Sequence, residues 1–254
     1  MSSESLNAPV RRIVRELFGT VATLAVVGLV DERGIAAAFE RLDQIGARFS
    51  PYRDDSEISR LRDGRMTLEE SDPETQTVLA ACEALRLETG GIFDISRAGR
   101  DGRLDPSGYV KGWAIGEAHA IIRAVGMENS ALGIGGDISA CGAGPGGVGW
   151  IVGVADPRTP ERAVTRVTLR DAAMATSGQA ERPGHLRRDG IAAVSPYLSV
   201  SVVGPSIERV DALATIAYLE GQLDRIVAEG GCEALALLPD GRGITTAGFA
   251  ALER

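Results

Sequence analysis

The sequence predicts an α+β fold of antiparallel sheets and packed helices, on three observations. Several β-rich segments follow one another across short glycine turns, as hairpins do, rather than alternating with helices as in βαβ units. Three stretches, 34–49, 73–90 and 110–125, carry apolar residues at helical spacing. No repeat, linker or low-complexity tract divides the chain. One domain is therefore expected over residues 1–254, with 1–15 as a flexible N-terminal extension.

The elements follow in order. Residues 18–30 are β-rich and bounded by Asp31, which predicts a first strand. Ile35, Ala38, Phe39, Leu42 and Ile45 then mark one face of a helix, and Ser56 opens a short helix through Leu61. The stretch 73–90 starts on a proline and stops at Gly90–Gly91, the expected punctuation of a helix. A further helix runs from Val110 to Val125 and ends at Gly126. Residues 130–157 read as two strands around a glycine-rich connection, 164–178 as another strand pair, and 198–204 as a strand. Helices at 210–221 and 222–229 precede a terminal hairpin over 233–249, turned at Asp240–Gly241.

Composition narrows the function. Thirty-five acidic against 27 basic residues give a net charge of −8, and no Lys/Arg run exceeds two. That disfavours a nucleic-acid partner or insertion at an anionic membrane. The apolar run Val21–Val30 is too short to span a bilayer, and no hydrophobic signal core precedes it. Cys82, Cys141 and Cys232 are odd in number and far apart, so a reducing, cytoplasmic setting is expected. Of the 27 basic residues 26 are arginine, and Lys111 is the one lysine. A position that keeps Lys under such a bias points to a need for a compact ammonium, although chance survival accounts for it equally.

No GxxxxGK[ST], HExxH or GxSxG motif occurs, and two histidines, His119 and His185, are too few for a His-rich metal site. Four segments remain. In DPSGYVKGW, Asp105 to Trp113, a carboxylate and a Ser-Gly turn lead into a helix carrying Lys111, a natural anion seat. An ordinary capped helix with a solvated lysine accounts for the same residues. In GIGGDI, 133–138, glycines admit a ligand to the backbone and Asp137 is placed to bond a ribose or ring; a tight hairpin is the plain alternative. The ATSG of 175–178 and GHLRRDG of 184–190 gather hydroxyls, a histidine and arginines suited to a phosphate, or to a polar surface loop. In VDALATIAY, 210–218, Asp211 and Thr215 share one largely apolar helix face. A buried Asp there calls for a cation, unless Asp211 is an N-cap.

Together these segments resemble the ApbE family of FAD:protein FMN transferases. The likeness runs in order from Phe18 to Gly221: FGT (18–20), FSPYRDDSEISRL (49–61), GIFDIS (91–96), DPSGYVKGWA (105–114), GIGGDI (133–138), WIVGVADP (150–157), ATSG (175–178), His185 and VDALAT (210–215). It implies a T-fold-like architecture and a Mg²⁺-dependent transfer of the FMN moiety of FAD to a threonine hydroxyl of an acceptor protein with an FMN-binding domain, releasing AMP. Carried over by position, Phe18, Tyr52, Ile92, Phe93, Asp94, Asp105, Lys111, Asp137 and Leu186 contact FAD. The metal falls to the Gly108 carbonyl and the side chains of Asp211 and Thr215, all hard oxygen donors. Lys111 and Asp211 then act in catalysis, with His185 handling the proton of the incoming hydroxyl.

The chain departs from the family pattern at four places. HLRRDG replaces HIxDPxTG, Gly116 stands at an acidic position, Phe18 stands for a usual Met, and no export signal or lipid anchor is expected from the residues ahead of Phe18. These departures keep two other expectations alive: an FAD pyrophosphatase, and an FAD-binding protein without turnover.

Overall fold

The computed structural model describes residues 9–99, 102–178, 187–188 and 191–254. The chain enters through a hairpin of β1 (Arg11–Leu17) and β2 (Thr20–Val26), in register from Arg11↔Val26 to Leu17↔Thr20. Its two turn residues, Phe18 and Gly19, have φ of 54° and 68°, as a two-residue type I′ turn demands. Gly19 adopts this freely, whereas Phe18 does so against steric resistance.

Two expectations are corrected here. Arg11 to Arg15 lie in a paired strand rather than in a flexible extension. Most of this strand's side chains are exposed, and an edge strand of that kind leaves no alternating apolar signal to read. The strand expected from residue 18 begins at Thr20, after the turn.

Helix α1 (Glu32–Phe49) is capped by Asp31, whose carboxylate accepts from the Gly34 amide at 2.7 Å. It buries Ile35, Ala38, Phe39, Leu42, Ile45 and Phe49. Helix α2 (Glu57–Arg62) is capped by Ser56, and α3 (Pro73–Glu88) opens with Asp72 as cap and Pro73 in its first turn. Helix α4 (Ser107–Ala124) follows a loop, then come β3 (Ser130–Ile134), β4 (Asp137–Cys141), β5 (Trp150–Asp156), β6 (Thr159–Leu169) and β7 (Ala172–Gly178). Short strands β8 (Arg187–Arg188) and β9 (Ile191–Ala192) pair with each other. The remainder is β10 (Ser199–Gly204), α5 (Ile207–Glu220), α6 (Asp224–Glu229), β11 (Glu233–Leu237) and β12 (Gly243–Thr245).

Eight strands form one sheet in the order β1-β2-β3-β4-β7-β10-β11-β12, antiparallel throughout. The α+β expectation holds. Its strand pairing differs in one respect: β6 and β7 are consecutive but belong to different sheets. β6 pairs with β5 in a separate hairpin, while β7 sits between β4 and β10. Residues 130–157 likewise hold three strands, not two.

Both faces of the sheet are covered, which explains why its strands read as near-continuous apolar runs. On one face Leu24, Leu132, Ala175, Val200 and Ala234 pack with Phe39, Ile115 and Leu213 of α1, α4 and α5. On the other, Ala131, Met174, Val203 and Leu235 pack under Trp150, Val167 and Leu169 of the β5–β6 hairpin. A third cluster joins α3 to α5 through Cys82, Leu85, Phe93, Ala212 and Ile216. All three cysteines are buried and free. No helix among the described residues is long and apolar enough to cross a membrane.

His119, on α4, is a core residue. It lies 3.0 Å from Ser130 Oγ and 2.8 Å from Ser139 Oγ, and burial pushes its pKa down from 6.5 to about 4. The folded protein therefore holds this imidazole neutral where the unfolded chain protonates it. Its contribution is complete above pH 6.5 and is lost as pH falls towards 4, to the extent of about 3 kcal/mol. Chemical denaturation of His119→Gln at several pH values is expected to show a flatter loss of stability over that window. An unchanged slope rejects this assignment.

Candidate active site

The site is built where α4 crosses α5. Gly108, Gly112 and Gly116 recur every fourth residue on α4 and so share one face. A Cβ at Gly112 would lie 2.8 Å from Asp211 Cβ and 2.9 Å from the Ile207 carbonyl oxygen, and one at Gly116 would overlap the Glu208 carboxylate. At Gly108 the neighbours are Phe93 at 3.6 Å and Thr215 at 3.9 Å. The absence of side chains lets the two helix backbones meet closely enough for a carboxylate on one to bond the backbone of the other.

That bond is present. Asp211 Oδ2 accepts from the Gly112 amide at 2.8 Å. A backbone carbonyl has two lone pairs and a helical bond uses one, so the Gly108 carbonyl keeps accepting capacity on this face. Asp211 lies five residues past the true N-cap of α5, Ser206. The capping role is therefore excluded, and Asp211 is a buried mid-helix carboxylate.

Lys111 is not simply solvated. Its ammonium lies 2.6 Å from Asp137 Oδ2; the Lys111 side chain is 34% exposed and that of Asp137 is 0%. Asp137 sits on the far side of the β3–β4 turn, paired with Ile134, and its Oδ1 accepts from the Thr176 amide of β7 at 3.0 Å. One residue on, Ser177 Oγ is 3.0 Å from Thr215 Oγ1. Helices α4 and α5, the β3–β4 turn and β7 thus each contribute to one buried cluster.

Its charges do not balance. Burial raises the Asp211 pKa well above the ordinary carboxylate value, and the neighbouring Asp137 charge raises it further; Lys111 and the Gly112 amide oppose them. Two carboxylates against one ammonium leave a net negative charge in a dry site, which a proton or a cation offsets. Among the described residues no three of His, Cys, Asp and Glu are placed to hold a metal ion. The donors here are of another kind: a carboxylate, a hydroxyl and a backbone carbonyl, an all-oxygen set that fits Mg²⁺.

The remaining sequence-expected residues are placed as follows. Phe93 is buried beside Gly108. Asp105 bonds the Ser107 amide at 3.0 Å and so steadies the start of α4, and Asp94 does the same for Ser96 at 2.9 Å. Ile92 is half-buried beside Phe93. Phe18 packs near Gly46 of α1 and into the main core, and Tyr52 is 76% exposed on the loop after α1. His185 and Leu186 lie outside the described residues. Gly112 and Ser177 carry weaker signals in the sequence: a glycine inside a strong helical pattern, and one hydroxyl within ATSG. A cleft of about 490 Å³, lined in part by Arg158, Val194, Tyr197 and Tyr218, opens beside α5.

Fold and site together define an α+β protein with a buried, acidic, lysine-compensated cluster where two helices cross. The model of the ApbE family matches residues 18–100 and 96–236, and the chain belongs to that family. The FAD:protein FMN transferase of Vibrio cholerae serotype O1 is 25% identical over 256 residues, 77% of this chain and 76% of its own. That of Treponema pallidum is 29% identical over 171 residues, 58% of this chain and 47% of its own. Among solved structures, the ApbE protein of Thermotoga maritima superposes with a TM-score of 0.83 at 23% identity, covering 97% of this chain and all of its own. The flavin transferase ApbE of Vibrio cholerae gives 0.80 at 21%, covering 96% of this chain and all of its own.

Proposed function

We propose that the chain is an FAD:protein FMN transferase that moves the FMN moiety of FAD to a threonine hydroxyl of an acceptor flavoprotein in a Mg²⁺-dependent reaction, releasing AMP. The observation that carries this reading is the buried Asp211, lodged between Gly112 and the Asp137–Lys111 pair, with Thr215 one turn further on. The names of the two sequence relatives support the transfer.

In this reading Gly108 O, Asp211 and Thr215 hold the cation, which supplies charge neutralisation at the pyrophosphate. Lys111 adds a fixed positive charge beside them, which offsets the negative charge of the phosphates. The threonine oxygen forms a bond to the FMN phosphorus as the bond to the bridging oxygen breaks, and AMP departs with that oxygen. His185 takes the hydroxyl proton. The chain acts as one ApbE-like domain, in a reducing compartment such as the cytoplasm, as three free thiols suit.

The test incubates the protein with FAD and Mg²⁺, with and without an FMN-binding domain bearing a target threonine, and reads acceptor mass and AMP. Acceptor gaining the mass of FMN, with one AMP released for each, is the expected result. AMP without labelled acceptor replaces the proposal with a pyrophosphatase; bound FAD with neither product replaces it with a binding protein.

A further inference from the structure

A threonine inside a helix ordinarily returns its hydroxyl proton to the carbonyl four residues earlier, here that of Asp211. Thr215 does not. Its Oγ1 has Ser177 Oγ as its hydrogen-bond partner, at 3.0 Å, and both residues are buried, at 7% and 5% exposure. Ser177 is held from the sheet side: β7 pairs Ser177 with Val200 of β10, and its preceding amide, Thr176 N, is tied to Asp137. A rigid strand thus presents a hydroxyl to the face of α5 that carries Asp211.

We propose that Ser177 is a positioning residue for the cation site: it accepts the Thr215 proton, so that the free lone pair of Thr215 Oγ1 is turned towards the Asp211 side. This rests on the metal reading given above. An oxygen ligand presents a lone pair only if its hydrogen is directed elsewhere, and a buried hydroxyl with a single partner has one direction in which to send it. Ser177 therefore acts through Thr215 and needs no contact with the cation.

The test titrates Mn²⁺, a probe for hard oxygen sites, into the flavin-free protein and follows free Mn²⁺ by electron paramagnetic resonance, with thermal melts as a check on folding. Ser177→Ala is expected to weaken binding about tenfold, the usual effect of losing a partner behind a ligand. Thr215→Ala weakens it at least as much, and in the Thr215→Ala background Ser177→Ala adds nothing. Loss in Thr215→Ala with full affinity in Ser177→Ala, or losses that multiply in the double variant, overturns the positioning role alone. Full affinity in Thr215→Ala overturns the metal assignment as well. Because both variants shorten a side chain by a hydroxyl or little more, melts that stay within a few degrees of the parent keep the affinities comparable.

Discussion

Asp211→Asn is expected to lower Mg²⁺-dependent FMN transfer at least a hundredfold while leaving the metal-free protein as stable as the parent, or more so. The two halves have one cause. Asparagine keeps the shape and can still accept from the Gly112 amide, the bond that joins α5 to α4 at 2.8 Å. It removes the charge that burial and Asp137 both disfavour, so the empty site loses a repulsion. With that charge goes the strongest oxygen ligand proposed for the cation. AMP release and acceptor mass measure the first half, and a denaturant or thermal melt without metal measures the second. Transfer within tenfold of the parent removes Asp211 from the metal site. A large fall in melting temperature instead makes Asp211 a structural residue.

The second large effect belongs to the lone lysine. Lys111→Ala leaves the Asp137 carboxylate, whose side chain has no exposure, without the ammonium 2.6 Å away. Stripping one partner from a buried ion pair costs about 3–5 kcal/mol; because Lys111 is one-third exposed, about 2–3 kcal/mol is expected here. Lys111→Arg keeps the charge but exchanges a point donor for a planar fork. It is expected to recover most of that stability and to remain at least tenfold slower in transfer. Denaturant unfolding and the transfer assay read the two separately. An arginine variant as active as the parent shows that any cation suffices at this position.

Much of this site is legible in the sequence because its signals are local. Asp211 and Thr215 stand one turn apart in an apolar helix, and Lys111 is singular in composition, so each is visible without knowing what faces it. Who faces whom is a matter of sheet order. Asp137 meets the Thr176 amide, and Ser177 meets Thr215, only because β7 is inserted between β4 and β10, a crossover that hairpin reasoning does not supply. The same blindness made β6 and β7 look like a pair. The edge strand β1 escaped because charged, exposed side chains carry no period, and its evidence is the hydrogen bonding to β2. Phe18 and Tyr52 rest on the resemblance alone, since nothing in their local sequence marks a flavin contact.

The glycines of α4 have a consequence that reaches past packing. Because α4 offers α5 no side chain of its own at Gly112 and Gly116, the distance between the charges of the site is set by how closely two helix axes approach. Any side chain added along that line acts as a wedge, and its effect is electrostatic before it is steric, since the Asp211–Gly112 bond lies in the seam it opens. The seam works as a gauge block: a dimension of the scaffold that holds a carboxylate, an amide and an ammonium in fixed relation before any substrate arrives.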